Sequence, residues 1–350
     1  MIKIESFFVP SFLKVKDLLY DNKSEKKNVY LLGQGWFAKG FLEYIDKSKY
    51  IVTNVYRNEF VNTPMLLQTI KSDTKSTNSS ITKFVTNTDK CIVDTVVSID
   101  LDKKNFKTEL GNTYTWTGGY LVCGLGSNTD IGKFWTEKIS FLNSAKPKSN
   151  ICIVCAGPTG TELGFHLTDL GHKITLYDGM DIEKLYTFLT PDGKLTILNS
   201  LKSKSIELVP SKMFSQQDKS KFDDVIFAVG SRPNDLMSKW KVNTKLNLVD
   251  YPDVFVGGDC IGIQPSDNNQ LVKSYPRTAQ VAYQQGAYVA KRLNNLFGTK
   301  DTSDCDKAEF VYVPKGIALY KGSNSYYVEI DGMKLTIPKI FIELYYTWFK

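Results

Sequence analysis

Val29-Tyr30-Leu31-Leu32-Gly33-Gln34-Gly35-Trp36-Phe37-Ala38 decides the fold: an apolar run enters a glycine turn and continues into a helical pattern over 36–45. The arrangement recurs at Ile151-Cys152-Ile153-Val154, which runs into Cys155-Ala156-Gly157-Pro158-Thr159-Gly160-Thr161-Glu162. Strand, turn, helix and strand thus occupy 29–56 and again 151–178. Strands alternating with helices predict parallel α/β sheets, and two such units predict two nucleotide-binding domains.

Composition agrees. The length, 350 residues, suits two to two-and-a-half average domains. Hydrophobic residues at 42% and charged residues at 23% exclude a disordered, collagen-like or coiled-coil chain. The net charge of +7 is scattered over lysines, with arginine only at 57, 232, 277 and 292, and gives no argument for nucleic acid. Six cysteines are an intracellular level rather than a disulfide framework. Cys152 and Cys155 have the spacing of a redox pair, but a strand through that run would point them to opposite faces. Only His166 and His172 are histidines, with no clustered Cys/His ligands, so no metal centre is expected. No apolar stretch reaches the roughly 18 residues of a membrane span. The N-terminus, broken by Pro10, reads as neither a standard signal peptide nor a good transit peptide. The expectation is an intracellular protein, soluble or peripheral to a membrane.

At the first turn, Gly33 lets the strand bend sharply, Gly35 lets the backbone approach a pyrophosphate, and small Ala38 lets the helix pack on the sheet. Helix-start amides and the macrodipole then favour the phosphate charge. At the second turn Cys155 replaces the first glycine, while Gly157 and Gly160 preserve close approach and packing. The following strand, near 173–177, ends at Asp178, an acid that can accept from a ribose 2′-hydroxyl and repel a 2′-phosphate, favouring NADH over NADPH. An ordinary strand-end turn residue is the alternative. Residues 222–234 read as a buried strand followed by Gly230-Ser231-Arg232-Pro233. Val254–Gly258 delivers Asp259 to a strand's C-terminal end, where open α/β sheets bind ligands. Further strands are expected near 91–99, 104–109 and 205–209, helices near 160–170 and 277–296, and polar loops at 71–80 and 143–150.

Together these segments resemble the type II, non-proton-pumping NADH:quinone oxidoreductases, within the pyridine nucleotide-disulfide oxidoreductase superfamily. The resemblance runs from about residue 28 to about 322. It is carried by GWFAKGFLEYID (35–46), Thr63–Leu66, PTGTEL (158–163), FAVGSRPN (227–234), VFVGGDC (254–260) and, most specifically, RTAQVAYQQG (277–286). It implies an α/β fold of two Rossmann-like domains: an FAD domain of 28–146 and 248–302 with an NADH domain of 147–247 inserted. Residues 1–27 would be an N-terminal extension, and 303–350 a C-terminal strand and helix segment. FAD is the implied cofactor, with NADH and a quinone as substrates; the flavin carries the chemistry and no protein nucleophile is required. Gly33, Gln34, Gly35, Trp36 and Phe37 would hold the FAD pyrophosphate, Arg57 its adenosine end, Asp259 the ribityl or phosphate portion, and Ala279 would lie beside the flavin. Gly157, Pro158, Thr159, Gly160 and Glu162 would surround NADH, with Asp178, Val229 and Gly230 along its path. Gln280 and Gln284, four apart on one helix face, would border the quinone, whose carbonyls an amide can meet without adding a charge. Read alone, Glu162 is equally a first-turn acid; Asp259 has a helix cap as its alternative, and Arg57 a surface cation, against which the scarcity of arginine speaks.

The chain departs from that pattern in several places. His166 stands where the family often has a second Glu, either taking over a catalytic role or serving as a buried structural histidine. The helical segment before the second unit is mostly missing. At the C-terminus Thr336 suits an N-cap, and Ile337, Ile340, Phe341, Leu344, Tyr345 and Trp348 recur at helical spacing. That stripe could rest on a membrane surface, pack on the protein's own body or meet a partner in a homodimer. A reductase of a small soluble redox protein, and a degenerate flavin-binding protein with a signalling or scaffold role, remain as alternatives.

Overall fold

The computed structural model describes residues 25–57, 61–62, 81–82, 88–128, 148–261, 275–298 and 308–342. Strand β1 (Lys27–Leu32) turns at Gly33 into helix α1 (Trp36–Tyr44), which leads to β2 (Tyr50–Tyr56) and β3 (Lys90–Val93). An antiparallel meander follows, β4 (Val96–Asp100), β5 (Asn105–Thr108) and β6 (Thr113–Thr115), and then β7 (Tyr120–Cys123). The second unit holds β8 (Asn150–Val154), α2 (Pro158–Asp169), β9 (Lys173–Tyr177), α3 (Pro191–Ser203), β10 (Glu207–Val209) and β11 (Asp224–Phe227). The chain then returns through β12 (Val254–Val256) and α4 (Ala279–Leu296), and continues into β13 (Ile317–Tyr320), β14 (Ser325–Ile330) and β15 (Met333–Pro338).

Both expected parallel sheets are present. The first has the order β12-β7-β1-β2-β3 and the second β10-β9-β8-β11. Their central strands are apolar without alternation because both faces are covered; Val29, Leu31, Leu32, Ile151, Cys152 and Ile153 are fully buried. Because β12 pairs with β7, the second sheet is inserted into the sequence of the first.

Two glycines let α1 and α4 touch backbone to backbone. A side chain at Gly40 would put its Cβ 2.1 Å from the Tyr283 carbonyl oxygen, and one at Gly286 would put it 2.0 Å from that of Phe37. The Phe37 ring fills the space left at the ends of β7 and β12, where a Cβ on Gly124 or Gly257 would collide with it. Asp253, just before β12, ties the meander to the sheet by accepting from Lys104 Nζ at 2.8 Å and Trp116 Nε1 at 3.1 Å.

The C-terminal segment differs from expectation. Thr336 caps no helix: it lies in β15 opposite Tyr327, and helical geometry begins only at Lys339. Asp331 and Gly332, at φ 49° and 78°, form the two-residue turn that favours a hairpin. That turn extends pairing from Ile330–Met333 to Ser325–Pro338, so hairpin register overrides the helical spacing. Ile340 and Phe341 are exposed while Ile342 is buried. Leu344, Tyr345 and Trp348, the Thr63–Leu66 motif and the 71–80 loop lie outside the described residues. Strands β13–β15 pack on the second unit, whose core takes in Leu319, Tyr320, Tyr326, Tyr327 and Val328. Among the described residues no helix is long and apolar enough to cross a membrane.

Candidate functional site

The first cradle is built around Gly33. Its N–H donates to Val55 O at 2.7 Å with φ +101°, and a Cβ there would fall 2.3 Å from the Gly124 carbonyl oxygen. Only glycine satisfies both the left-handed backbone and the close approach. Gly35 is the N-cap of α1, without a side-chain capping bond, and nothing lies within 4 Å of where its Cβ would be. Helix-start amides facing such space suit a pyrophosphate, so the residues present fit a dinucleotide here. Gln34 is buried and Trp36 half-buried, with Lys39 Nζ 5.7 Å from the Trp36 ring centroid. Phe37 was expected at the cofactor, yet its side chain is a core wedge, which leaves its main-chain amide for that role. Arg57 is exposed at the end of β2.

Asp259 comes to the same region from the short turn after β12. Burial pushes its carboxyl above the usual range, against the pull of Arg277 and a hydrogen bond from Ser127. Arg277 also donates to the Ser231 carbonyl, joining the 228–233 segment to the base of α4. Ala279 is the first residue of that helix, with Thr278 as its cap. Sequence reasoning missed Gln285: it is buried, and its Oε1 accepts the Gly258 N–H at 2.6 Å, fixing the turn that carries Asp259. Its place one turn after Val281 and Ala282, on the apolar side of α4, was the available signal.

The second cradle repeats the backbone with different chemistry. The Cys155 N–H donates to Tyr177 O at 2.7 Å, as Gly33 does to Val55, and Cys155 keeps a left-handed φ of +87°. β8 ends at Val154, so Cys155 belongs to the turn rather than to the strand expected to carry the CxxC pair. A Cβ at Gly160 would lie 2.0 Å from the Cys155 carbonyl oxygen, which makes that position obligatory. Gly157 caps α2 without a side-chain bond, and Pro158 fills the first helical position, where its missing N–H is no loss. Asp178 is buried at the end of β9, accepting from Ala156 N at 2.8 Å and Met180 N at 2.9 Å. It braces the turn between β8 and α2. Val229 is exposed and Gly230 has φ +88°, just beyond β11.

Two expected site residues face elsewhere. Glu162 points beneath the C-terminal sheet: its Oε1 accepts the Tyr320 N–H at 2.9 Å, and burial pushes its carboxyl up to about 8. One turn on, His166 lines a cleft with Asp169, Tyr320, Asn324 and Lys339. Burial, with help from Lys339, lowers its imidazole to about 4. His166 is buried there, but its Nε2 has no hydrogen-bond partner among the described residues. Gln280 and Gln284 do share a face of α4, but their amides hold the segment 312–316. Gln280 donates to Gly316 O and accepts from Lys315 N; Gln284 donates to Val313 O and accepts from Val313 N. No cluster of metal-ligating side chains occurs among the described residues.

The family model described as pyridine nucleotide-disulphide oxidoreductase matches residues 18–286. A type II NADH:quinone oxidoreductase of Staphylococcus saprophyticus is 29% identical over 146 residues, 38% of this chain and 34% of that protein, so this alignment spans about a third of the relative's length. A probable NADH dehydrogenase of Dictyostelium discoideum is 23% identical, covering 89% of this chain and 82% of its own. The fold superposes on that of NDH2 from Plasmodium falciparum in complex with NADH, with TM-score 0.71, 17% identity, and 92% and 94% of the two chains covered.

Proposed function

We propose that this chain, which belongs to the pyridine nucleotide-disulphide oxidoreductase family, is an FAD-dependent NADH dehydrogenase that passes electrons to a quinone. The observation that carries the reading is the pair of strand-turn-helix cradles, both with uncapped helix starts. The named relatives supply the choice of NADH and quinone. FAD bound at the first cradle would supply hydride acceptance from NADH and two-electron delivery to the quinone.

The chain's own residues bind and orient. Amides of Gly35, Trp36 and Phe37 receive the FAD pyrophosphate, Arg57 meets the adenosine end, and Asp259 takes the ribityl or phosphate portion. Gly157, Thr159 and Gly160 offer amides to the NADH pyrophosphate, with Asp178 at the ribose and Val229 and Gly230 along the path. Ala279 opens the helix beside the flavin. Gln280 and Gln284 each carry a second amide hydrogen beyond the bonds to 312–316, and border the quinone together with that segment. Exposed Ile340 and Phe341, next to Lys339, favour peripheral contact with the membrane surface where a lipid-soluble quinone resides.

The test is the absorption spectrum of the purified full chain, followed by NADH oxidation with and without a water-soluble quinone. Flavin bands with quinone-dependent turnover are expected. A colourless protein that takes up no added FAD would sink the reading. Bound flavin without turnover would favour the degenerate-binder reading, for which Cys155 in the second turn is the specific motive.

A further inference from the structure

The far half of α2, beyond the second cradle, forms one wall of a cleft of about 390 Å³ against the C-terminal sheet. His166, Asp169, Tyr320, Ser323, Asn324 and Lys339 line it. Asp169 is its buttress. One carboxylate oxygen accepts from Lys204 Nζ at 2.6 Å, and the other from the Tyr320 hydroxyl at 2.6 Å and Ser323 N at 2.9 Å. On the opposite side Lys339 N donates to the Asn324 carbonyl at 2.7 Å, fixing a turn in which Ser323 and Asn324 both have left-handed backbones, φ 52° and 53°. The carbonyls that end α2 are taken as well: His166 O by Leu170 N, Thr168 O by Gly171 N and Leu167 O by His172 N.

That frame uses up acceptors and leaves donors. His166, Ser323, Asn324 and Lys339 can each donate, and two lysines, 204 and 339, stand against one carboxylate. His166 is the strongest pointer. It is only 9% exposed, and its Nε2 is buried without a hydrogen-bond partner among the described residues. Buried polar atoms are nearly always bonded, so an orphan at a cleft wall marks the place of a missing group. A half-turn about the soft χ2 exchanges the carbon and nitrogen edges of the imidazole, which lets a ligand in the cleft claim that bond.

We propose that this cleft is a binding site, separate from the two cradles, for a small organic anion whose carboxylate or phosphate oxygens accept from Lys339, Asn324 and the orphaned imidazole of His166. The volume lies in the range of small-molecule pockets, well beyond a lone inorganic ion. The proposal does not depend on what either cradle binds. A ligand seated there would join α2 to the C-terminal segment and hold the two together.

Succinate and glycerol phosphate are the probes, one for each oxyanion class, with sodium chloride at equal ionic strength as the control. The chain has only two histidines, so the full-length protein labelled with 13C-histidine gives two ring signals, which H166Q assigns. At least one probe is expected to shift the His166 signal saturably, and which one does so tells carboxylate from phosphate. K339Q, at a partly exposed position, should weaken that probe about tenfold, the scale of one charged hydrogen bond. N324G keeps the left-handed turn and should weaken it about threefold or more. The same probe should raise the melting temperature of the wild type more than that of either variant. The proposal is overturned if neither probe moves His166 beyond the salt control. It is equally overturned if either folded variant binds as the wild type does, because the shift then comes from ionic strength or from a distant site.

Discussion

The two cradles solve one geometric problem with different materials. Around the first, glycines shape the cradle: Gly33 makes the bend, Gly35 leaves open space, and Gly40 and Gly286 let α4 back the cradle helix without a gap. Around the second, polar side chains take over. Cys155 makes the bend at a cost of about 1–2 kcal/mol for its left-handed backbone. Asp178 braces the turn, and the cradle helix is backed by the C-terminal sheet through the buried Glu162 carboxyl. Glycine contacts are indifferent to pH and tolerate no substitution. Polar contacts tolerate substitution and respond to pH. The first cradle is therefore a rigid fixture, and the second is tunable.

The sharpest way to break that contrast is Gly33→Ala. Left-handed strain and the collision with Gly124 together should destabilise the protein by about 3 kcal/mol or more, with loss of co-purified flavin. A variant that melts like wild type and keeps its flavin would erase the distinction from Cys155, a side chain already tolerated at the matching position.

Glu162→Gln comes next. The unfolded carboxyl titrates near 4.5 and the folded one near 8, so the folded state binds the extra proton. Its contribution is fully present below about pH 4.5 and is lost as pH rises toward 8. Gln keeps the acceptor for Tyr320 and cannot ionise. Relative to wild type it should gain roughly 2–4 kcal/mol between pH 5 and pH 8, read from denaturant melts at the two pH values. Parallel pH profiles for the two proteins would mean the carboxyl is not held protonated.

Gln285→Ala sharpens the comparison inside the first unit, where one polar contact does matter. Leaving the Gly258 amide without its acceptor should cost about 1–3 kcal/mol, measurable by urea unfolding. An unchanged midpoint would remove Gln285 from the account. Asp259→Ala should have the smallest effect on stability, since burial already disfavours its charge. Its effect should appear in the FAD dissociation constant, raised about tenfold for one charged hydrogen bond. Equal FAD affinity would move the cofactor contact elsewhere.

How far the sequence could be read follows from how far each contact reaches. The α1, α2 and α4 boundaries fall within two residues of expectation because caps and breakers are local: Gly35, Gly157 and Thr278 stand beside the helices they start. Glu162 was placed at the ligand by the resemblance of its PTGTEL segment to the family's NADH turn, yet its partner Tyr320 is 158 residues away. Gln280 and Gln284 share the predicted face, but what lies against that face, the 312–316 segment, carries no signal in the helix sequence. The Thr336 helix start failed for the opposite reason. A local signal was present in Asp331-Gly332, and the hairpin it nucleates prevailed over an apolar spacing that also fits a helix.

By itself, then, the sequence determined two strand-turn-helix units, their parallel sheets and the glycines of each turn, since bond geometry and helix capping act between near neighbours. Tertiary structure alone decided that the C-terminal sheet covers Glu162 and His166, that the glutamines hold a strap, and that the Cys155 sulphur lies over Gly157. Those outcomes depend on which distant surfaces are buried together, and only the folded chain chooses among them.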